Sequence, residues 1–346
     1  MKPSSRVDAL PPTLLLSKRG VLFLSSVLFF LFLRLAIEPP AFKDYAQYVD
    51  YLSNIKSDGI LAGGLDLASN LIFYFAGTLF SDREEALAAL YIYLFLVFVI
   101  GAAYIVLIKQ VNWLNYWAFL VLFGPLLAFI TIRATPAYFA FFIAFFLWRD
   151  GRAWVAGFFA LLAATFHFSA LLVLPVFFGS LVFYRPLEAS LFLRRAAWFL
   201  YFMALLTGFY MTIFGPGPLV SGFEIGELFV RYSAYIEAVE PVSGIFHRIY
   251  FWGAAGIATV YLIWTGDDWR CKSLVMFASI QFYLVAWSPV LAFRQSIFWV
   301  APALLLLPMY RVIRSRDIRV LGAAGMIVIL CYSFYGILET AFLESF

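Results

Sequence analysis

Between residues 86 and 184 the chain is charged only at Lys109, Arg133, Arg149, Asp150 and Arg152. The intervening runs are apolar and lack the period-two alternation of half-buried strands. A helix needs about 20 mostly apolar residues to cross a bilayer's hydrocarbon core. A membrane β-barrel would instead show roughly 10-residue alternating segments. The whole chain agrees with the helical reading. It is 64% hydrophobic with a mean hydropathy of +0.93 and is 13% charged, whereas soluble domains carry about 25% charge. The expected fold is all-α and polytopic. No polar insert is long enough for a soluble domain, so residues 1–346 are expected to form a single transmembrane domain.

The first apolar run, 20–37, follows Lys2, Arg6, Lys18 and Arg19. Glu38-Pro39-Pro40 comes next in place of a small-residue cleavage site, so this run reads as an uncleaved first helix with a cytoplasmic N-terminus. Residues 65–80 are apolar but short, and their placement sets the orientation of everything downstream. If they do not cross, about eleven spans result: 20–37, 86–108, 113–131, 136–148, 153–167, 169–184, 196–214, 249–265, 272–289, 295–310 and 320–338. The inner loops then hold Lys2, Arg6, Lys18, Arg19, Lys109, Arg149, Arg152, Arg185, Arg194, Arg195, Arg270, Lys272, Arg311, Arg314, Arg316 and Arg319. The outside keeps Arg34, Lys43, Lys56, Arg83, Arg133, Arg231, Arg248 and Arg294. If 65–80 crossed, the bias would reverse. Inner loops of membrane proteins carry the excess of Lys and Arg, so 65–80 is expected to stay at the outer face. Most acidic residues, Asp66 among them, then also fall outside. Two outer loops are large, 38–85 and 215–248.

Cys271 and Cys331 lie far apart with no ligand spacing, and only two histidines are present. No metal site is expected. The net charge of +4 reports topology rather than nucleic-acid binding. Short inner loops leave little room for a nucleotide site, and no phosphate-binding glycine pattern occurs.

An outer basic residue runs against the topological trend and needs a reason. Arg133 opens one span, His167 closes another, Arg231 lies in the second large loop, His247 and Arg248 precede the eighth span and Arg294 precedes the tenth. Guanidinium groups bind phosphate oxygens bidentately and keep their charge, so this set suits a phosphate or diphosphate. Asp44, Asp50 and Glu38, in the first outer loop, are candidate general bases for an acceptor hydroxyl. Each residue also has a plain structural alternative. Arg133 and Arg294 fit interfacial anchors, and His167 fits a hydrogen-bonded core histidine. Arg231 fits a solvated partner of Glu227, and Asp44 fits a helix cap. Tyr45, Tyr48 and Tyr51 fit an aromatic belt at the headgroups.

Three stretches resemble the EpsG family of polysaccharide-assembly membrane proteins, related to Wzy-type O-antigen polymerases. Asp44-Tyr45-Ala46-Gln47-Tyr48 is similar to the family's D-Y-x-x-Y. Ile132-Arg133, followed by Ala163-Ala164-Thr165-Phe166-His167-Phe168-Ser169-Ala170-Leu171, is similar to I-R-Q…A-S-x-F-H-x-S-A-L. Phe293-Arg294 through Pro308 is similar to an arginine opening a late span that ends at a proline. The chain departs from the pattern in Ala134-Thr135-Pro136 after Arg133 and in lacking Gly-Thr before Asp44. The resemblance implies a polyprenyl-diphosphate-linked (undecaprenyl diphosphate) sugar donor on the periplasmic face. It also implies kinship with GT-C glycosyltransferases, in which a carboxylate on the first outer loop acts as base.

The expected activity is therefore a glycosyltransferase of polysaccharide biosynthesis in the bacterial inner membrane, polymerising lipid-linked repeat units of an exopolysaccharide or O-antigen. Asp44 and His167 are the expected catalytic residues, and Arg133, Arg231 and Arg294 the expected diphosphate ligands. An inverting outcome is expected, with no cofactor. The expected partners are the lipid-linked oligosaccharide, membrane lipids and a chain-length regulator, with no nucleic acid. A flippase of lipid-linked glycan is one alternative, but would need a polar path across the membrane and repeated halves. A membrane O-acyltransferase is another, and would need its histidine near a cytoplasmic thioester.

Overall fold

The computed structural model describes residues 17–37, 44–64, 66–214, 245–265 and 268–307, with scattered positions between 324 and 335. All regular structure among them is helical. The helices are α1 (Lys18–Ala36), α2 (Tyr45–Asp58), α3 (Leu67–Leu79), α4 (Arg83–Ala103), α5 (Trp113–Pro125), α6 (Ala134–Arg149), α7 (Ala153–Phe166), α8 (Ser169–Ala189), α9 (Leu191–Phe214), α10 (Ile245–Trp264), α11 (Trp269–Leu284) and α12 (Pro289–Leu306). Five stretches are long and apolar enough to cross a membrane: Lys18–Ala36, Arg83–Ile108, Trp113–Ile130, Ser169–Ala189 and Leu191–Phe214. The chain is thus a multi-pass helical membrane protein. Most of the expected eleventh span and nearly all of loop 215–248, Arg231 included, lie outside the described residues.

Helix ends meet in two layers. In one layer Lys109, beyond α4, pairs with Asp150 at 2.5 Å. There, too, Asn115 at the start of α5 donates to the carbonyls of Leu304 and Leu307 at 2.7 and 2.6 Å. Trp148 near the end of α6 donates to the carbonyl of Arg270 at the start of α11. Arg149, Arg152, Arg185, Arg194 and Arg270 belong to this layer. In the opposite layer Arg34, near the end of α1, lies over the ring of Tyr91 in the first half of α4. Tyr45, at the start of α2, stacks on the same ring. The chain therefore leaves α1 and enters α4 in one layer, and α2 and α3 form an excursion that begins and ends there. Ser69, in the first turn of α3, donates to the Phe166 carbonyl at the end of α7 in that layer too.

Helix α6 has 16 residues and is buried over nearly its whole surface. At about 1.5 Å rise per residue it spans only some 24 Å. Surrounding helices shield it from lipid, so its short length carries no mismatch cost. Its far end closes in a Schellman turn: Gly151 N–H bonds Trp148 O and Arg152 N–H bonds Leu147 O. Gly151 takes φ +79 there, where a side chain would be strained. Its near end is set by Pro125. A proline inside a helix removes one N–H and crowds the preceding turn. The helix continues past it as a wide turn, Leu126–Ile130, closed by Thr131 N–H to Leu126 O. The chain then reverses through Ile132 and delivers Arg133 to the start of α6.

Two helix starts differ most from expectation. Residues 272–289 were expected as one span, but the helix ends at Leu284 and a new one begins at Pro289. Proline is favoured in a helix's first turn because its missing N–H is an orphan there anyway. Arg294 consequently lies within the second turn of α12 rather than ahead of it. Helix α9 begins at Leu191, five residues earlier than the expected 196, and takes Arg194 and Arg195 into its first turns.

Candidate functional site

The segment between α1 and α4 contributes an aspartate that closes the site. Asp66 lies just ahead of α3 and is buried. One carboxylate oxygen, Oδ1, accepts the Phe168 N–H at 2.6 Å. The other, Oδ2, is 3.2 Å from His167 Nδ1 and 3.3 Å from an Arg133 guanidinium nitrogen. Three distant segments converge on one carboxylate. His167 is extended between α7 and α8 because α7 ends at Phe166 and α8 begins only at Ser169. The freed N–H of Phe168 at the start of α8 is a natural place for an anion.

Burial alone would raise the Asp66 pKa. The His167 hydrogen bond, the Arg133 charge and the Phe168 N–H outweigh it and hold the carboxyl below its ordinary value. His167 moves down as well. Burial is the main cause, and the charges of Arg294 and Arg133 act in the same sense against the raising effect of Asp66. These contacts favour an ionised Asp66 carboxylate beside the Arg133 guanidinium.

Arg133 is held on a second side. Its guanidinium lies 4.3 Å from the centroid of the Tyr51 ring, a cation–π contact. The Tyr51 hydroxyl donates to Asn70 Oδ1, and Asn70 Nδ2 donates to the Gly64 carbonyl at 3.0 Å. With these contacts the Arg133 side chain remains 28% exposed, against 7% for Asp66. Tyr48 fixes the turn before Arg133: its hydroxyl donates to Ile130 O at 3.2 Å and accepts the Ile132 N–H at 3.0 Å. Tyr48 and Tyr51 are thus built into the site, not spread in a belt at the headgroups.

Of the expected site residues, Arg133 and His167 meet through Asp66. Arg294 acts electrostatically on His167, Tyr48 and Tyr138, and its carbonyl accepts from the Tyr138 hydroxyl at 3.3 Å. Asp44 stands at the start of α2, and its charge is felt at Tyr48 and Tyr91. Arg231 is outside the described residues. The sequence reading missed Asp66 and Asn70. The available signal was an aspartate in the glycine-rich sequence Gly63-Gly64-Leu65-Asp66, at the head of an apolar run too short to cross a membrane.

Neither the curated proteins nor the solved structures contain a match to this chain. The family model described as EpsG family matches residues 21–341, nearly the whole length. The chain belongs to the EpsG family of polysaccharide-assembly membrane proteins.

Proposed function

We propose that the chain is a polysaccharide polymerase of the bacterial inner membrane. It transfers an oligosaccharide from a polyprenyl diphosphate onto another lipid-linked unit at the periplasmic face. The N-terminus is cytoplasmic, the architecture has about eleven spans, and kinship is with GT-C enzymes. The observation that carries this reading is Arg133. It is clamped by Asp66 and Tyr51 yet keeps part of its guanidinium exposed, in the same layer as Arg294 and His167.

A glycosyl diphosphate departs readily once the charge on its leaving oxygens is neutralised. Preorganised cations placed where charge develops supply the largest share of such catalysis. Arg133 and Arg294, joined by Arg231 from the second loop, hold the diphosphate and supply the positive charge that a divalent ion provides elsewhere. The acceptor hydroxyl needs a base. Asp44 is one candidate by position in the first outer loop, and the Asp66–His167 pair is another by geometry. Attack from the face opposite the diphosphate inverts the anomeric centre. A chain-length regulator is the natural protein partner.

The test is reconstitution of the purified chain in vesicles with a polyprenyl-diphosphate oligosaccharide. A ladder of products spaced by one repeat unit is expected, with free polyprenyl diphosphate released. Movement of intact lipid-linked units across the bilayer without a ladder would favour a flippase and overturn the reading.

A further inference from the structure

We propose that His167 is the general base of this site and that Asp66 is its positioning residue. The inference rests on the polymerase reading and names the atoms that move the proton. Asp66 Oδ2 faces His167 Nδ1 at 3.2 Å. An ionised carboxylate can only accept, so the proton of a neutral imidazole lies on Nδ1. The tautomer is assigned from this hydrogen bond. Nε2 is then left with its lone pair. It makes no hydrogen bond among the described residues, and it is not among their buried polar atoms without a partner. The His167 side chain is 8% exposed and lies beside the 28%-exposed Arg133, with Asp66 between them. Asp66 itself is poorly suited to be the base, because both its oxygens are already engaged by Phe168 N–H, His167 and Arg133.

The charged groups around the imidazole are Asp66 from the entry to α3, Arg133 from the start of α6 and Arg294 from α12. The two cations disfavour imidazolium before the reaction. Once a diphosphate neutralises them, Asp66 stabilises the imidazolium that forms. In the step, Nε2 takes the acceptor's hydroxyl proton, the acceptor oxygen bonds the anomeric carbon, and the bond from that carbon to the diphosphate oxygen breaks. The bonding pair leaves with the diphosphate, and Nε2 then returns its proton to that leaving group or to solvent. On this account Asp44 sets the local potential at Tyr48 without taking the proton.

The experiment uses full-length protein in vesicles and the ladder assay. Asp66→Asn and His167→Gln should each lower kcat by about 100- to 10,000-fold, the usual range for a general base. KM for the lipid-diphosphate donor should change less than about threefold. The double variant should be no slower than the worse single one, since the two residues act as a unit. Wild-type kcat should fall on acidification as the imidazole takes up a proton. Only two histidines are present, so 15N-histidine spectra of wild type and a His247→Gln control read the tautomer directly, whatever the variants do to folding. The Nδ1–H form is expected in wild type and its loss in Asp66→Asn. Wild-type kcat in His167→Gln, or an Nε2–H tautomer in wild type, would overturn the assignment while a wild-type ladder left the polymerase reading standing. Absence of a ladder from wild type would instead remove the polymerase reading itself.

Discussion

Arg133→Ala should stop chain extension and leave single lipid-linked repeat units in the membrane. Loss of one preorganised charged donor costs about 100- to 1,000-fold in comparable sites. Here the loss is compounded, because the same guanidinium neutralises Asp66 and stacks on Tyr51. Removing one partner of a buried pair leaves the other charge uncompensated, at a cost of about 3–5 kcal/mol. His167 and the Phe168 N–H still engage Asp66, and Arg133 is partly exposed, so the lower part of that range applies. Arg294→Ala removes the second proposed diphosphate ligand while the Asp66–Arg133 ion pair stays in place. Arg133→Lys keeps a cation beside Asp66 but lacks the planar fork, so folding should survive and extension should remain impaired. Glycan from cells carrying each variant, resolved by size, provides the measurement. Long chains in both alanine variants would remove the diphosphate clamp.

Gly101→Val should strongly destabilise the bundle. A Cβ at Gly101 would lie 2.2 Å from the ring of Phe139, which faces α4 from the buried α6. Contacts this short cannot be met by a rotamer change alone, because Phe139 also packs against Phe98 and Phe142. Overpacking costs about 1–3 kcal/mol and sometimes more, a large part of a typical net stability of about 5–15 kcal/mol. The variant should yield little folded protein, and its thermal unfolding in detergent should occur several degrees lower. Phe139→Ala placed with Gly101→Val should restore part of the loss. A melting temperature equal to wild type in Gly101→Val would show that α4 and α6 are not packed this closely.

The helices were largely legible from the sequence because apolar runs and charge punctuation act locally. Runs expected at 113–131 and 153–167 fold as Trp113–Ile130 and Ala153–Phe166. Boundaries shifted where a proline or a chain reversal decided them, as at Pro289. The site was only half legible. Arg133 and His167 stand out as polar residues at the ends of apolar runs. Asp66 does not, because its partnership is entirely tertiary: it lies 101 residues from His167 in sequence. Attention to the D-Y-x-x-Y stretch favoured Asp44 as the acidic member, whereas the fold aims Asp66 at the histidine. Tyr48 and Tyr51 follow the same rule. Their spacing of three places both on one side of α2, and only the packed structure shows that this side is the site.

The claim on which donor, clamp and base all depend is that this site opens to the outer face, with residues 67–79 not crossing the membrane. Arg83 and Arg152 are both exposed, and they stand in opposite layers of the bundle. With Cys271 and Cys331 replaced by serine, Arg83→Cys and Arg152→Cys can be tested in intact inner-membrane spheroplasts with a membrane-impermeant thiol reagent. The account predicts labelling of Arg83→Cys at once, and of Arg152→Cys only after the membrane is permeabilised. The reverse pattern would place Asp66, His167 and Arg133 on the cytoplasmic side and contradict the account.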